Sequence, residues 1–248
     1  MRPQLVQSAK RSAAAFVEML LPGGCPLCGG ELPPDCVDDL NCSECATRIP
    51  RADRYCVRCS APVGPFVDSS NGCVHCRRDR FVFEGVFAAG KYRDALQQAV
   101  LMAKRPRGGA AAAWLAQRIW ERRGPELSQL PIDLVTAVPQ HWLRRLAGPH
   151  NAAELIARPI AGRLKAPFDR HILHKARRTA AQAGLPPSAR RKNLRTAFLA
   201  TRSLQGSRIL LIDDVLTTGT TSDQAARALR RAGASAVWVV VAARGIGV

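Results

Sequence analysis

Carboxylates are scarce in this chain: 19 Asp and Glu stand against 37 Lys and Arg, a net charge of +18 over 248 residues. Such an excess predicts an anionic partner without choosing among nucleic acid, a phosphorylated metabolite and an acidic membrane surface. Aromatic residues make up only 5%, so base-stacking platforms are few. Any single-stranded nucleic-acid binding should therefore be backbone-dominated and salt-dependent. No apolar run approaches the ~20 residues that span a bilayer. Cysteine is absent beyond Cys76. The Thr/Gly-rich turn near the C-terminus lacks the lysine of a P-loop, which disfavours a Walker-type nucleotide site.

What is present begins with a basic N-terminus. Arg2, Lys10 and Arg11 precede the apolar stretch Ala13–Leu21, a pattern shared with short signal or transit peptides. Glu18 interrupts it, and no small-residue cleavage site follows before Cys25. The expectation is an amphipathic helix over residues 1–21 that docks on the body.

All nine cysteines fall between Cys25 and Cys76, and eight form Cys-x-x-Cys pairs: Cys25/Cys28, Cys42/Cys45, Cys56/Cys59 and Cys73/Cys76, with Cys36 left over. Two thiolates so spaced can hold one metal from a tight knuckle, and two knuckles complete a tetrahedral Zn²⁺ site. Gly29, Gly30, Ser60 and Ala61 suit the turns such knuckles need. A disulfide framework is the rival reading, but it needs an oxidising compartment, and the regular spacing favours metal. The cysteines thus support a cytoplasmic location. Adjacent knuckles would pair as Cys25, Cys28, Cys42, Cys45 and as Cys56, Cys59, Cys73, Cys76; an interleaved pairing stays open. His75 lies inside the last knuckle as an exposed neighbour or a substitute ligand. Closed Cys₄ sites are structural, so no catalytic role is expected of this module.

After Arg77-Arg78-Asp79-Arg80 the composition changes. Phe81–Tyr92 reads as one or two strands with a glycine break, and Asp94–Ala103 as a helix burying Ala95, Leu96, Ala99, Val100 and Ala103. A second helix over Ala110–Arg123 should stop at Gly124-Pro125. Ile132–Val138 is a buried strand ending at Pro139, Gln140 and His141, with Arg144 and Arg145 behind it, a place for an anion. Taken alone, that loop reads as solvated charge. Asn151–Leu164 is helical, with Pro159 expected to kink or divide it. From Arg170 to Ile212 the chain carries ten Lys/Arg and no carboxylate, and its aperiodic centre, Lys175–Asn193, reads as a long mobile basic loop, a lid.

Ile209–Ile212 is a buried strand, Asp213 and Asp214 follow where it should end, and Thr217, Thr218, Gly219, Thr220 and Thr221 lead into a helix. Capping alone would need one of those threonines. Amides at a helix N-terminus hold phosphate, and carboxylates at a strand's C-terminal end accept ribose hydroxyls or orient hydrated Mg²⁺. This is a site for a phosphorylated sugar. Ala236–Ala243 adds a further buried strand, so residues 85–248 alternate strand and helix, as a parallel α/β sheet requires.

These residues resemble the ComF family: an N-terminal double zinc ribbon joined to a type I phosphoribosyltransferase fold, a parallel sheet flanked by helices. The resemblance rests on Ile209–Thr221, the four Cys-x-x-Cys pairs, Val138-Pro139-Gln140-His141, Asn151, and Thr179–Leu185 with Arg190, Arg191, Asn193 and Arg195. It implies a double ribbon over 22–80 and a transferase-like domain over 81–248. It further implies that Asp213 and Asp214 contact the ribose of phosphoribosyl pyrophosphate (PRPP) and hydrated Mg²⁺, and that Thr217–Thr221 hold the 5′-phosphate. Pro139–His141 would face pyrophosphate, helped by Arg144 or Arg145. Lys175, Arg177, Arg178, Gln182, Arg190 and Arg191 would belong to the lid. The chain departs from the family at Gln140, usually leucine, and at Leu146–Ala152, where an Arg-Gly-Phe-Asn-Gln-like segment is usual. The resemblance therefore implies binding more firmly than turnover. Two functions follow as expectations: a Mg²⁺-dependent phosphoribosyltransferase with an unidentified acceptor, or a binding module in competence that handles imported single-stranded DNA.

Overall fold

The computed structural model describes residues 24–25, 27–30, 42, 44–45, 48, 52, 54–139, 151–175 and 197–246. In chain order the elements are β1 (Arg54–Tyr55), β2 (Pro62–Val63), β3 (Val86–Lys91), α1 (Asp94–Ala103), α2 (Gly109–Ser128), β4 (Leu134–Ala137) and α3 (Ala152–Leu164). They continue with β5 (Leu173–Lys175), β6 (Phe198–Ala200), β7 (Arg208–Leu216), α4 (Thr220–Arg231) and β8 (Ala236–Arg244). The central sheet has the order β3-β8-β7-β4 and is parallel throughout. β1 pairs with β2, and β5 with β6, as small antiparallel ribbons.

β7 explains why the sheet strands read as unbroken apolar runs. Leu210 and Ile212 face a core shared with α1, α2 and α3, whereas Ile209 and Leu211 face a second core shared with α4, β5 and β6. A strand covered on both sides has no face left for polar residues. This is the expected α/β architecture.

The helices correct the expected stop at Gly124-Pro125 and show no division at Pro159. α2 runs through Gly124 and Pro125 to Ser128. Gly124 is tightly packed against the Trp120 ring and Leu127 beyond it is fully buried, so tertiary burial outweighs the local stop signals. α3 likewise passes Pro159 undivided, with Ile156 and Ile160 buried on either side of it. Asn151 begins that helix. Its Oδ1 accepts from the Ala153 N–H, and its Nδ2 donates to the Val138 carbonyl, tying α3 to the end of β4. Of Phe81–Tyr92, only Val86–Lys91 is strand. Phe81 and Phe83 instead stack on each other, centroids 4.6 Å apart.

The parallel register brings the C-terminal ends of β4, β7 and β8 to one edge: Ala137 pairs with Ile212, and Leu216 with Arg244. The cysteine-rich segment is fastened to the same sheet. Ser60 Oγ accepts from the Ala88 N–H of β3 and from Arg123, whose guanidinium also lies over Tyr55 and donates to the Ala88 carbonyl. Val82 N–H donates to Asp223 of α4, and Arg227, paired with Asp223 at 2.7 Å, donates to the Arg80 carbonyl. Those bonds fix the strap between cysteines and sheet.

Candidate functional site

β7 extends to Leu216, so Asp213 and Asp214 stand within the strand rather than after it. Alternation sends them to opposite sides. Asp213 is buried and accepts from the Asp214 N–H at 2.9 Å and from the Ser222 hydroxyl at 3.2 Å. Burial, followed by the neighbouring Asp214 charge, raises its carboxyl to about 7, against the opposing pull of those two donors and of Lys104. Asp214 is more open; its Oδ2 lies 3.0 Å from Lys104 Nζ. Lys104 follows directly after α1, and nothing in its local sequence marks it as a partner of a residue on β7.

The turn that follows has one position only glycine fills without strain. Gly219 has φ +76, and a Cβ there would lie 2.9 Å from two ring atoms of Phe81. It opens α4 as an N-cap with no side chain to offer; the Thr220 N–H has a long bond, 3.4 Å, to the Thr218 hydroxyl, and a helix start of this kind can be met by solvent or an anion. Thr217, Thr218, Thr220 and Thr221 are exposed around it, with the Thr218 and Thr220 hydroxyls 2.9 Å apart. Beneath the turn, Arg244 is buried, and its Nη1 donates to the carbonyls of Leu216, Thr217 and Gly245. Lys104, Ser222, Phe81 and Arg244 are the residues that sequence reasoning missed. Of these only Arg244 carried a signal, as a lone charge closing an apolar strand.

Pro139 is buried at the end of β4. Gln140, His141, Arg144 and Arg145 lie outside the described residues, as do Arg177, Arg178, Gln182, Arg190 and Arg191 of the expected lid and the helix expected over 1–21. Lys175 ends β5, its Nζ 5.7 Å from the centre of the Phe198 ring.

The eight paired cysteines form two groups, Cys25, Cys28, Cys42, Cys45 and Cys56, Cys59, Cys73, Cys76, and within each the sulfurs lie within 4.8 Å of one another. Adjacent knuckles therefore pair. The contacts Cys28–Cys42, Cys56–Cys76 and Cys59–Cys73 are each 3.7 Å, close to the ~3.8 Å edge of a tetrahedron with metal–sulfur bonds of about 2.3 Å. The knuckles at Cys25 and Cys56 share one turn: the first cysteine's N–H donates to the carbonyl five residues on, and its carbonyl accepts from the N–H four residues on. The residue after each pair is left-handed, Gly29 at φ 75 and Ser60 at φ 55.

The thiols within each group are driven apart in acidity. Burial pushes Cys45 and Cys59 up, and Cys76 to about 11. At Cys25 and Cys56 burial acts the same way, but the surrounding backbone N–H donors outweigh it, to about 6 and about 7. Four thiolates cannot share so small a volume without a cation, and soft sulfur donors suit zinc. Either group could hold one metal ion. No described helix is long and apolar enough to cross a membrane.

An uncapped helix start after two carboxylates, at the edge of a parallel sheet, is the layout of a phosphoribosyltransferase fold, and the phosphoribosyl transferase domain family matches residues 144–247. The chain is 30% identical over 207 residues to DNA utilization protein YhgH of Salmonella typhimurium, covering 80% of this chain and 87% of the relative. It is 25% identical over 204 residues to competence protein F of Haemophilus influenzae, with the same coverage. The chain belongs to the ComF family. Among solved structures, a glutamine PRPP amidotransferase from B. subtilis is similar at 24% identity and a TM-score of 0.34, over 60% of this chain and 26% of that one. That likeness is too slight to carry residues across.

Proposed function

We propose that the site binds PRPP or a similar phosphoribosyl group. One observation carries this reading: Asp213 and Asp214 sit directly before the uncapped, threonine-lined start of α4. Thr217, Thr218, Gly219, Thr220 and Thr221 take the 5′-phosphate, and the carboxylates take the ribose hydroxyls. The two carboxylates offer hard oxygen donors that suit Mg²⁺, which would neutralise charge on a bound pyrophosphate. On this reading Gln140, His141, Arg144 and Arg145, which lie outside the described residues, would serve that pyrophosphate. Should turnover to an acceptor occur, the work is positioning and charge neutralisation rather than nucleophilic attack by the protein.

We propose further that residues 22–80 are a double zinc ribbon holding two structural Zn²⁺, ahead of a transferase-like domain over 81–248. The protein works in the cytoplasm. A second reading, a competence factor that binds single-stranded DNA or a nucleotide without catalysis, draws support from the relatives' names and from exposed Arg77, Arg78 and Arg80 beside the second cysteine group.

Calorimetric titration with PRPP and Mg²⁺ tests the first reading. Saturable binding that weakens at least about tenfold in Asp213→Asn/Asp214→Asn supports it, as expected when charge-assisted bonds are lost. No binding by wild type sinks it. For the second, single-stranded DNA affinity that does not fall between low and moderate salt removes the electrostatic basis.

A further inference from the structure

The acidic pair on β7 offers two oxygens from each carboxylate, and all but one are held by fixed donors. Asp213 Oδ1 accepts from the Asp214 N–H at 2.9 Å, and its Oδ2 from the buried Ser222 hydroxyl at 3.2 Å. Asp214 Oδ1 accepts from the Val215 N–H at 2.7 Å. Asp214 Oδ2 is held differently, by the Lys104 ammonium at 3.0 Å. A backbone N–H of the strand cannot leave its acceptor, whereas an ammonium on a flexible four-carbon stem can. This one oxygen is exchangeable.

Lys104 reaches Asp214 from a turn whose backbone is fixed. Its N–H donates to the Val100 carbonyl, and Ala103 before it is fully buried. The turn closes as the Arg105 N–H donates to the Met102 carbonyl and the Gly108 N–H to the Arg105 carbonyl. At Gly108 a Cβ would lie 2.4 Å from the Met102 carbonyl oxygen, so only glycine lets α2 start there. The side chain of Lys104 nevertheless stays 39% exposed, against 21% for Asp214. An ion pair so open contributes little to stability. The pair that braces two strands, Arg208 with Asp133, is built otherwise: Arg208 donates through its backbone N–H, Nε and Nη2. Bracing is not what the single Lys104 contact supplies.

Mg²⁺ lies about 2.1 Å from the oxygens that bind it. On Asp214 Oδ2 it would compete with the ammonium for the same oxygen, and two cations at that range repel each other. We propose that Lys104 is a positioning residue with two stations: it holds Asp214 Oδ2 before ligand arrives, then yields that oxygen to Mg²⁺ and turns to the ligand's pyrophosphate. The inference rests on the phosphoribosyl reading above and deepens it. The exchange keeps charge matched throughout. Asp214 faces a cation at both stations, so the neighbouring carboxylates are never left to repel each other uncompensated, and the pyrophosphate gains a point charge of the kind that suits phosphate.

One substitution, read with two ligands on the full-length, zinc-loaded protein, tests this. Lys104→Met keeps the stem and removes the charge. Mn²⁺ serves as a paramagnetic stand-in for Mg²⁺, its affinity read without PRPP from water-proton relaxation; PRPP affinity is read by calorimetry at saturating Mg²⁺. In Lys104→Met, Mn²⁺ should bind about threefold or more tighter, because its competitor is gone. Adding Asp214→Asn should remove that gain. PRPP should bind about tenfold weaker, because the pyrophosphate has lost a charged partner. Lys104→Arg, which keeps the charge, should return both values toward wild type. Melting temperature shows that each variant is folded, and Lys104→Gln repeats the test with a second neutral side chain. A damaged site weakens both ligands together, whereas the exchange moves them in opposite directions. Mn²⁺ affinity that does not rise, or PRPP affinity that does not fall, overturns this inference and leaves the phosphoribosyl reading standing. Wild type that binds no PRPP overturns both.

Discussion

The two cysteine groups share ligand spacing and knuckle hydrogen bonds yet differ in setting. In the first, Cys25 and Cys45 are buried but Cys28 is exposed and Cys42 half-buried; its link to α1 includes Gln98 donating to the Leu27 carbonyl at 2.7 Å. In the second all four cysteines are buried, Ser60 and the strap bind it to β3 and α4, and Phe81 joins it to the phosphate turn. The same ligand pattern can thus sit at the periphery in one place and against the Thr217–Thr221 turn in another. What decides is the packing around the cluster, since the ligand pattern is the same.

The contrast is broken most forcefully by deleting a ligand from each group. Cys59→Ser, at a fully buried sulfur, should cost about 4 kcal/mol or more, because structural zinc supplies folding energy outright. It should also abolish phosphoribosyl binding. Cys28→Ser should lower stability less and leave phosphoribosyl binding intact. Denaturant melts and zinc analysis read the first difference, and calorimetry the second. Equal losses of binding would erase the distinction.

A smaller effect probes the sheet side of the site. Asp213 in the folded protein is raised to about 7, above the ~3.9 of an unfolded chain. Between those values the unfolded state has released its proton and the folded state has not, so stability falls as pH rises from about 4 to about 7 and then levels. Asp213→Asn should remove that fall and be more stable than wild type by roughly 2–4 kcal/mol at pH 8, while near pH 4 the two converge. Urea melts across pH check it. A difference that does not vary with pH would show that Asp213 is an ordinary carboxylate.

Next comes the joint between turn and cluster. Gly219→Ala combines a left-handed φ with a Cβ driven into Phe81, and should cost about 2 kcal/mol. Because Phe81 also packs on the second cysteine group, a chelator should strip zinc faster from that group and leave the first unchanged. Metal release of equal speed from both would deny the joint. Least in size is Ser60→Ala. It leaves the Ala88 N–H without its acceptor and should cost about 1–2 kcal/mol in a denaturant melt. An unchanged melt would mean that this hydrogen bond contributes nothing.

Much of this was legible in the sequence, for identifiable reasons. The buried face of α1, from Ala95 to Ala103, came out residue for residue because a helix packed on one side writes its period into the chain. Spacing marked the eight cysteines as knuckles and favoured adjacent pairing, but only the folded chain decides against an interleaved one. Where the reading failed, long-range packing overrode a local signal or made a contact that has none. Burial of Leu127 carried α2 past Pro125, and Phe81 and Phe83 left the sheet to support a glycine more than a hundred residues away. Lys104 meets Asp214 only because α1 ends beside β7.

Phosphorus NMR of Mg²⁺–PRPP with the protein is the most direct check of the central claim, because it resolves the 5′-phosphate from the two pyrophosphate phosphorus atoms. The 5′-phosphate resonance should shift or broaden with wild type and recover its free position with Gly219→Ala. An unperturbed 5′-phosphate, even alongside a perturbed pyrophosphate, would contradict the placement of that phosphate on Thr217–Thr221.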